Sequence, residues 1–451
     1  MYTLPCTLPP RGARHRHLWP ALAFGLLMPM GAMADAALSG PGLVPVSQIS
    51  AADTAWVRVS TALVLLMTLP GIALFYGGMV RSKNVLNTMA SVVAIAALVS
   101  VLWFALAYSW AFTPGSGLIG GWSRAGFQGL ELLGASGQVA ASHIAPHLPE
   151  SVFAMFQLAF AIITCALVVG ALVERMRFAA LLWFTGLWLL LVYAPVAHWV
   201  WEPGGWLAQM GALDFAGGAV VHINAGAAAL VTAYALGPRL GYGREAFTPF
   251  NLGLTMAGTG LLWVGWFGFN AGSALAADSR AGLAMLVTHI AAASGALAWG
   301  VTEWWVRGRT SLLGLCSGCV AGLVAITPAA GFVGLRSAVL VGAVAGVVCY
   351  WGATGLKKWL KADDSLDVFG VHGMGGLTGA LLTGWLADPA ISGVHGSVLT
   401  QALASVAVLF YSMVATALVL LVTSRITDLR VSSDDEQTGL DMALHAERLG
   451  H

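Results

Sequence analysis

Long apolar segments, separated by short polar stretches, follow one another along the chain from about residue 50. A helix needs about 20 mostly apolar residues to cross a bilayer, and each segment is near that length. We therefore predict eleven transmembrane helices in an all-α integral membrane protein. Their positions are 54–80, 86–112, 150–173, 179–200, 217–237, 251–275, 282–306, 312–329, 336–356, 368–388 and 398–424.

Composition supports a membrane protein and excludes other classes. Hydrophobic residues make up 58% of the chain, charged residues 9%, and the mean hydropathy is +0.81. A soluble domain has about 25% charged residues. The net charge is +1, and no basic cluster is present, so the sequence gives no indication of nucleic-acid binding.

The first 34 residues differ from the segments that follow. Arg11, Arg14 and Arg16 precede an apolar run and then the small-residue site Ala32-Met33-Ala34. This order is typical of a secretory signal peptide, and an uncleaved first spanning helix is the alternative. We predict three parts: a signal peptide at 1–34, a membrane domain at 35–424 and a cytoplasmic regulatory tail at 425–451. The tail is too short for a catalytic domain.

The cations predict the orientation of the helices. With the N-terminus outside, fourteen of the 21 cations fall in inner connections and the tail. The outer side has four: Arg58, Arg124, Arg280 and Arg336. Because cytoplasmic loops carry an excess of Lys and Arg, we predict that the C-terminus is cytoplasmic in a bacterial inner membrane. The Gly-rich residues 113–149 would form an irregular external cap.

A V-H-x-x-x-G pattern occurs twice, at His222 in the fifth predicted helix and at His372 in the tenth. Five helices separate the two, and an odd number of spans places the two halves in opposite orientations. This arrangement predicts two five-helix inverted repeats plus one extra helix, with a central pore in each protomer near the repeat interface.

Two histidines facing each other in a membrane could share one proton through an N–H···N hydrogen bond. Burial disfavours the charged imidazolium, so a neutral pair is expected, with a donor and an acceptor for a small polar solute. Two alternatives remain: core histidines bonded to backbone carbonyls, or haem ligation by two histidines. We expect no cofactor.

Aromatic residues accompany the histidines. Phe156 and Phe160 share one face of the third helix, and GWFGFNAGS in the sixth contains Trp266, Phe269 and Ser273. Trp201 ends the fourth helix. Such stripes are usually packing, but ring faces also attract a small cation.

Several long motifs resemble the Amt/Mep/Rh ammonium transporter family, of the bacterial Amt type, from about residue 50 to the end. These are FYGGMVRSKNVL (75–86), FQLAFAIITCALVVGALVERMRF (156–178), GALDFAGGAVVHINAG (211–226), GWFGFNAGSA (265–274), SLLGLCSGCVAGLVAITPAAG (311–331) and DVFGVHGMGG (367–376). The resemblance implies a transporter rather than an enzyme. It also implies a homotrimer, with membrane lipids around it and a PII-type signalling protein binding its tail.

The resemblance further implies a role for each candidate residue. Trp201, Phe160 and Ser273 would recruit ammonium at an external site, and Phe160 with Phe269 would gate the pore. His222, His372 and Trp266 would line the conduit. Asp214 matches an essential carboxylate; we favour a structural and electrostatic role for it, since Asp before an apolar helix is a normal N-cap.

The expected function is recruitment of NH4+, its deprotonation, and conduction of NH3 through an apolar pore, with a possible separate proton relay. Potassium, of similar size, cannot lose its charge in this way. The alternatives are an ammonium sensor, or a channel for neutral NH3 or CO2. His289 stands where many relatives have Asn, and its role is open.

Overall fold

The computed structural model describes residues 42–130, 132–133 and 136–450, so the predicted signal peptide at 1–34 lies outside the described residues. Within these ranges, eleven long helices follow the predicted order. They are α1 (Ala51–Met79), α2 (Ser82–Phe112), α3 (Glu150–Leu172), α4 (178–201), α5 (Gly218–Leu236), α6 (Leu252–Ala271), α7 (Ser279–Arg307), α8 (Leu312–Ile326), α9 (Leu335–Leu360), α10 (369–386) and α11 (Val398–Ile426).

Nine of these helices, counted over the described ranges, are long and apolar enough to cross a membrane. The other two are α8, with 15 residues, and α10. The predicted all-α membrane fold is therefore confirmed, and the helix boundaries differ from the prediction by a few residues.

Several helices contain a π-helical segment, which the sequence did not predict. In α1 this segment, Met67–Ile72, includes Pro70, whose missing N–H interrupts the regular ladder. Three others form the start of α5 (Gly218–Ile223), the end of α6 (Phe267–Ala271) and the start of α10 (Phe369–Gly373). π-helical segments are rare and are often found at functional sites.

A small antiparallel sheet covers one face, which we call the outer face after the predicted orientation. Its strands are β1 (Gly42–Pro45), β2 (Leu132–Leu133), β3 (Gln138–Ser142) and β4 (Ala145–Pro149). The central strand is β3, which pairs with the other three; its register with β1 runs from Gly42 opposite Ala141 to Pro45 opposite Gln138. The predicted irregular cap is therefore partly a sheet, and β4 leads directly into α3.

The first residue of α3, Glu150, is held in place by an ion pair and hydrogen bonds. Glu150 is fully buried and accepts two hydrogen bonds from the Arg124 Nε and Nη2 atoms, each at 2.9 Å from its nearest oxygen. The Tyr108 hydroxyl donates to the same carboxylate at 2.9 Å. A buried carboxylate needs such partners, and here they anchor the outer end of α3 to α2 and the cap.

The helices α5 and α10 cross closely, with the start of each against the body of the other. A Cβ built on Gly226 would lie 2.5 Å from the Gly373 Cα, and one on Gly376 would lie 2.8 Å from the Gly218 carbonyl oxygen. Glycine is thus required at the last position of both V-H-x-x-x-G motifs, because small residues allow helix backbones to approach in a membrane.

At the opposite face, which we call the inner face, ion pairs join four connections between helices. Glu174 binds the Arg81 Nη2 atom at 2.7 Å and Arg239 Nη1 at 3.4 Å, and Arg239 also pairs with Asp363 at 2.8 Å. Burial alone would raise the pKa of both carboxyls, but the neighbouring arginines and hydrogen bonds lower each pKa below its usual value. This network fixes the connections that precede α2, α4, α6 and α10.

The C-terminal residues lie on the inner face. After α11 the chain forms two short helices, α12 (Ser433–Thr438) and α13 (Leu440–His445). The Arg177 N–H donates to the Leu429 carbonyl and the Val431 N–H donates to the Arg175 carbonyl, both at 3.0 Å. These bonds attach the tail to the connection between α3 and α4.

The α5–α10 crossing makes a first prediction. Replacing Gly226 with alanine should separate the two helices, because the new methyl group would overlap the Gly373 backbone. Such overpacking typically costs about 1–3 kcal/mol. We expect a lower unfolding temperature in detergent. Gly282→Ala in α7 is the matched control, because a Cβ built on Gly282 has no other atom within 4 Å. An equal effect of both substitutions would contradict the close crossing.

Candidate functional site

The two histidines of the repeated motif meet at the crossing of α5 and α10. Their Nδ1 atoms are 3.2 Å apart, and the side chains are buried, with 1% (His222) and 5% (His372) of each residue exposed. A hydrogen bond between two like nitrogens needs one proton, so one ring donates from Nδ1 and the other accepts there. Among the described residues, the His222 Nε2 atom has no hydrogen-bond partner.

Trp266 lies against the pair. Its ring stacks on His222 with centroids 5.4 Å apart, and its indole N–H donates to the Thr327 hydroxyl oxygen at 2.9 Å. That hydroxyl in turn donates to the Leu323 carbonyl at 2.8 Å. The tryptophan is therefore fixed as an apolar wall beside the histidines, with its polar atom already satisfied.

Two stacked phenylalanines lie next to the histidines. The Phe160 and Phe269 ring centroids are 4.2 Å apart with an interplanar angle of 21°, and the Phe269 ring is 6.0 Å from His222. At most 1% of either phenylalanine is exposed. Phe160 also lines a cavity on the other side of the stack, so the two rings separate that cavity from the histidine pair.

The outer cavity has a volume of about 100 Å³ and contains all three residues predicted to recruit a cation, Trp201, Phe160 and Ser273. The Trp201 and Phe160 rings meet edge to face at 5.7 Å. The Ser273 hydroxyl donates to the Phe269 carbonyl at 2.9 Å, which leaves its oxygen lone pairs as acceptors. A water-sized molecule fits in a cavity of this volume, so the cavity has room for a small cation.

Asp214 lies at the start of α5. One carboxylate oxygen accepts from the Gly217 N–H at 2.9 Å and from the Gly218 N–H, and the other accepts from Ala219 at 2.9 Å and Val220 at 3.1 Å. These four N–H groups are the unpaired donors of a helix N-terminus.

The backbone of the same aspartate holds the tryptophan of the outer cavity. The Asp214 carbonyl accepts the Trp201 indole N–H at 2.9 Å. Asp214 therefore orients both the helix of His222 and the ring of Trp201, and it is absent from the lining of the outer cavity. This geometry supports a structural and electrostatic role for the carboxylate.

An inner counterpart of Asp214 was missed by the sequence reasoning. Asp364 precedes His372 by the same eight residues that separate Asp214 from His222, and its carboxylate accepts from the Phe369 N–H at 2.7 Å. Burial and then the nearby charge of Asp367 raise the pKa of Asp364 to about 6. The repeated Asp-x7-His spacing was the signal that could have found it.

Asp367 lies five residues before His372 and so does not share the Asp-x7-His spacing. Its environment differs from that of Asp364. Its φ of 60° is left-handed, and its carboxylate pairs with the Lys357 Nζ atom at 2.8 Å. It lines a cavity of about 50 Å³ that also borders His372 and Tyr76. The histidine pair thus lies between this inner cavity and the outer cavity.

The other membrane histidines do not join the pair. His198 is bonded to the Ala111 and Ser116 carbonyls, and His289 lies exposed on α7 with its ring 5.2 Å from Trp263. The 3.2 Å separation of the paired nitrogens leaves no space for a haem ring between them. In the part of the chain that the structure describes, no cluster of His, Cys, Asp or Glu could hold a metal ion.

A buried histidine pair between two cavities, with stacked aromatic rings on one side of it and a bundle of membrane helices around it, is the arrangement of a membrane channel or transporter. Comparison with known proteins defines the class further. The chain belongs to the ammonium transporter family, whose model matches residues 55–449. This confirms the family resemblance and a transporter rather than an enzyme.

Individual relatives match this chain in sequence or in structure over most of their length. An ammonium transporter of Bacillus subtilis is 44% identical over 405 residues, covering 88% of this chain and 98% of that protein. The crystal structure of Saccharomyces cerevisiae Mep2 matches with a TM-score of 0.79 and 37% identity, covering 86% of this chain and 89% of the other. A structure described as a sensor Amt protein matches with a TM-score of 0.80 and 30% identity, covering 87% and 98%.

The capping role of Asp214 predicts a loss of stability in Asp214→Asn. The amide cannot accept four hydrogen bonds, and an N–H···O bond to a charged group contributes about 1.5–3 kcal/mol. We expect a clearly lower unfolding temperature of the purified protein. Asp388→Asn is the matched control, because Asp388 caps an exposed short helix by one bond to the Ala390 N–H at 2.9 Å. Lost uptake with unchanged stability would instead indicate a direct role in cation binding.

Proposed function

We propose that this protein is an ammonium transporter that recruits NH4+ in the outer cavity, deprotonates it and conducts NH3 past His222 and His372. The observation that carries this proposal is the direct contact of the two Nδ1 atoms, 3.2 Å apart, at a buried position between the two cavities. A neutral imidazole pair offers hydrogen bonds to ammonia but no fixed charge for an ion.

The apolar conduit supplies the selectivity. Moving an unpaired ion from water into such a place costs many kcal/mol, and potassium cannot avoid that cost. Ammonium avoids it by giving up one proton. In the outer cavity, ring faces stabilise the cation before this step, and the Ser273 oxygen accepts one of its N–H groups.

The histidine pair also provides a route for the proton. The free His222 Nε2 atom can accept a proton while its Nδ1–H passes to the Nδ1 of His372. His372 then releases a proton from its own Nε2 towards the inner cavity, which it borders. One proton enters and one leaves, so the pair acts as a relay beside the path of ammonia.

Ammonium sensing and passage of a neutral gas are the two alternatives to transport. The likeness to a sensor Amt protein favours ammonium sensing, which would need no flux. A channel for neutral gas would need neither the ring faces nor the acceptor in the outer cavity. The presence of both around one cavity supports recruitment of a cation.

Ion currents across proteoliposomes test the histidine pair. The intact protein should give a current after an ammonium jump and none with potassium. Replacing His222 or His372 with alanine should remove the ammonium current or lower the ratio of ammonium to potassium current by about tenfold, which is about 1.4 kcal/mol of selectivity. His395→Ala, at an exposed outer position, is the control.

Other outcomes of that experiment point to other functions. Internal alkalinisation without current in the intact protein would favour passage of neutral ammonia. No flux of either kind would favour the sensor. A selective current in both alanine variants would contradict the histidine relay and leave the two residues as packing.

The conduit is enclosed by helices of one chain, which supports a separate pore in each protomer of a homotrimer. We infer that the trimer lies among the lipids of a bacterial inner membrane, with the outer face outside and the tail in the cytoplasm. The predicted signal peptide and the positive-inside distribution of charge support this orientation.

Contacts of the tail support a regulatory role. The Asp441 carboxylate accepts from the Asn87 N–H at 2.7 Å, in the first turn of the regular part of α2, while the Asn84 side-chain oxygen accepts from the Leu440 N–H at 2.9 Å. The two helix starts thus cap each other. We infer that residues 425–451 are a docking segment for a PII-type signalling protein, which would act by moving this attachment.

A second group of tail contacts reaches the connection between α5 and α6. Glu436 pairs with the Arg430 Nη2 atom at 2.7 Å and accepts from the Leu240 N–H. Lys83, which precedes the regular part of α2, donates to the Glu436 carbonyl at 2.9 Å. A partner that displaces the tail would therefore alter both the start of α2 and the connection that leaves the histidine-bearing helix.

Tail attachment predicts that Asp441→Asn makes residues 427–450 more sensitive to protease. Loss of the carboxylate weakens the mutual cap by about 1 kcal/mol, so cleavage should be several-fold faster. Asp434→Asn is the control, because Asp434 is exposed on α12. A changed transport rate in Asp441→Asn, with an unchanged rate in Asp434→Asn, would support regulation of transport by the tail. Equal cleavage of both variants would contradict the attachment.

A further inference from the structure

Gln157 is a buried polar side chain in the wall of the outer cavity. It lies on α3, between Phe156 and Phe160, and all three line the cavity. Only 9% of the residue is exposed. Its side-chain oxygen has no hydrogen-bond partner among the described residues.

Leaving a buried amide oxygen without a partner is costly, about 1–3 kcal/mol. Most polar groups around the conduit avoid that cost by bonding within the protein. Trp201 donates to Asp214, Trp266 to Thr327 and Ser273 to Phe269. Gln157 differs because its amide borders the cavity, and rotation about its last side-chain bond would turn the oxygen, which is itself buried, towards a donor there.

The expected occupant is a donor of several hydrogen bonds. Ammonium has four N–H groups in a tetrahedral arrangement. Ring faces stabilise its charge, but they do not replace all the hydrogen bonds that it loses with its water. The Ser273 oxygen can accept one of the four. A second acceptor from a different helix would hold the cation between two directional contacts.

We propose that the Gln157 side-chain oxygen is a direct acceptor for the recruited cation and sets its affinity. This inference rests on the proposed function and adds a substrate-binding residue to it. An amide is suited to this place because it accepts strongly from a charged donor while remaining neutral. A carboxylate would hold the cation more tightly and delay its departure towards the histidines.

Ammonium-dependent currents of proteoliposomes, measured over a range of concentrations with the full chain, test the proposal. Gln157→Met keeps the length of the side chain and removes the acceptor. We expect its half-saturating ammonium concentration to rise about tenfold while the maximal current stays within about twofold. Gln157→Glu keeps an acceptor and should lower the half-saturating concentration together with the maximal current. Met155→Leu, half-exposed on the same helix and outside the cavity lining, should match the intact protein.

The outcomes separate this inference from the proposed function. An intact protein without any ammonium current would overturn the function itself. A normal current with an unchanged half-saturating concentration in Gln157→Met would overturn the role of Gln157 alone. An equal rise in the Met and Glu variants would show a packing effect and would also overturn it. If Gln157→Met does not fold, Gln157→Leu takes its place, with the same expected rise.

Discussion

The close crossing of α5 and α10 is the constraint on which the histidine pair depends. Gly226 and Gly376 each face the backbone of the other helix, and no side chain fits between them. Only at this separation can two imidazole rings meet through their Nδ1 atoms. In both helices the histidine precedes the glycine by four residues. The same short motif therefore provides both the close approach of the backbones and the imidazole rings that meet there.

A second constraint follows from the membrane, where water is not available to satisfy polar groups. Around the outer cavity and the histidine pair, polar atoms are fixed by internal partners: the Trp201 indole by Asp214, the Trp266 indole by Thr327 and the Ser273 hydroxyl by Phe269. What these bonds leave free is a small set of acceptors. The chemistry offered to a solute is therefore decided by which atoms the protein has not already paired.

Much of this arrangement could be predicted from the sequence. Eleven apolar segments predicted the helices, and the repeated V-H-x-x-x-G motif predicted that His222 and His372 would meet, because equivalent positions of inverted repeats share an axis. Other features depend on contacts that no local pattern encodes. For example, the sequence does not show that the buried amide of Gln157 borders a cavity; only the folded structure does. The outer sheet pairs segments nearly 100 residues apart. Among the described π-helical segments, only the one in α1 contains a proline, Pro70, that could have indicated it.

The hydrogen bond of the histidine pair is asymmetric, although the two residues are related by the repeat. The two rings occupy equivalent positions in the two repeats, yet a single proton between like nitrogens gives the hydrogen bond a direction. The pair therefore exists in two forms, related by exchange of donor and acceptor. A proton that crosses converts one form into the other, and a second proton cannot follow in the same sense until the first form is restored. In the relay proposed above, the pair would have to return to its first form before each new transfer, and the rate of that return would limit how often the relay can repeat.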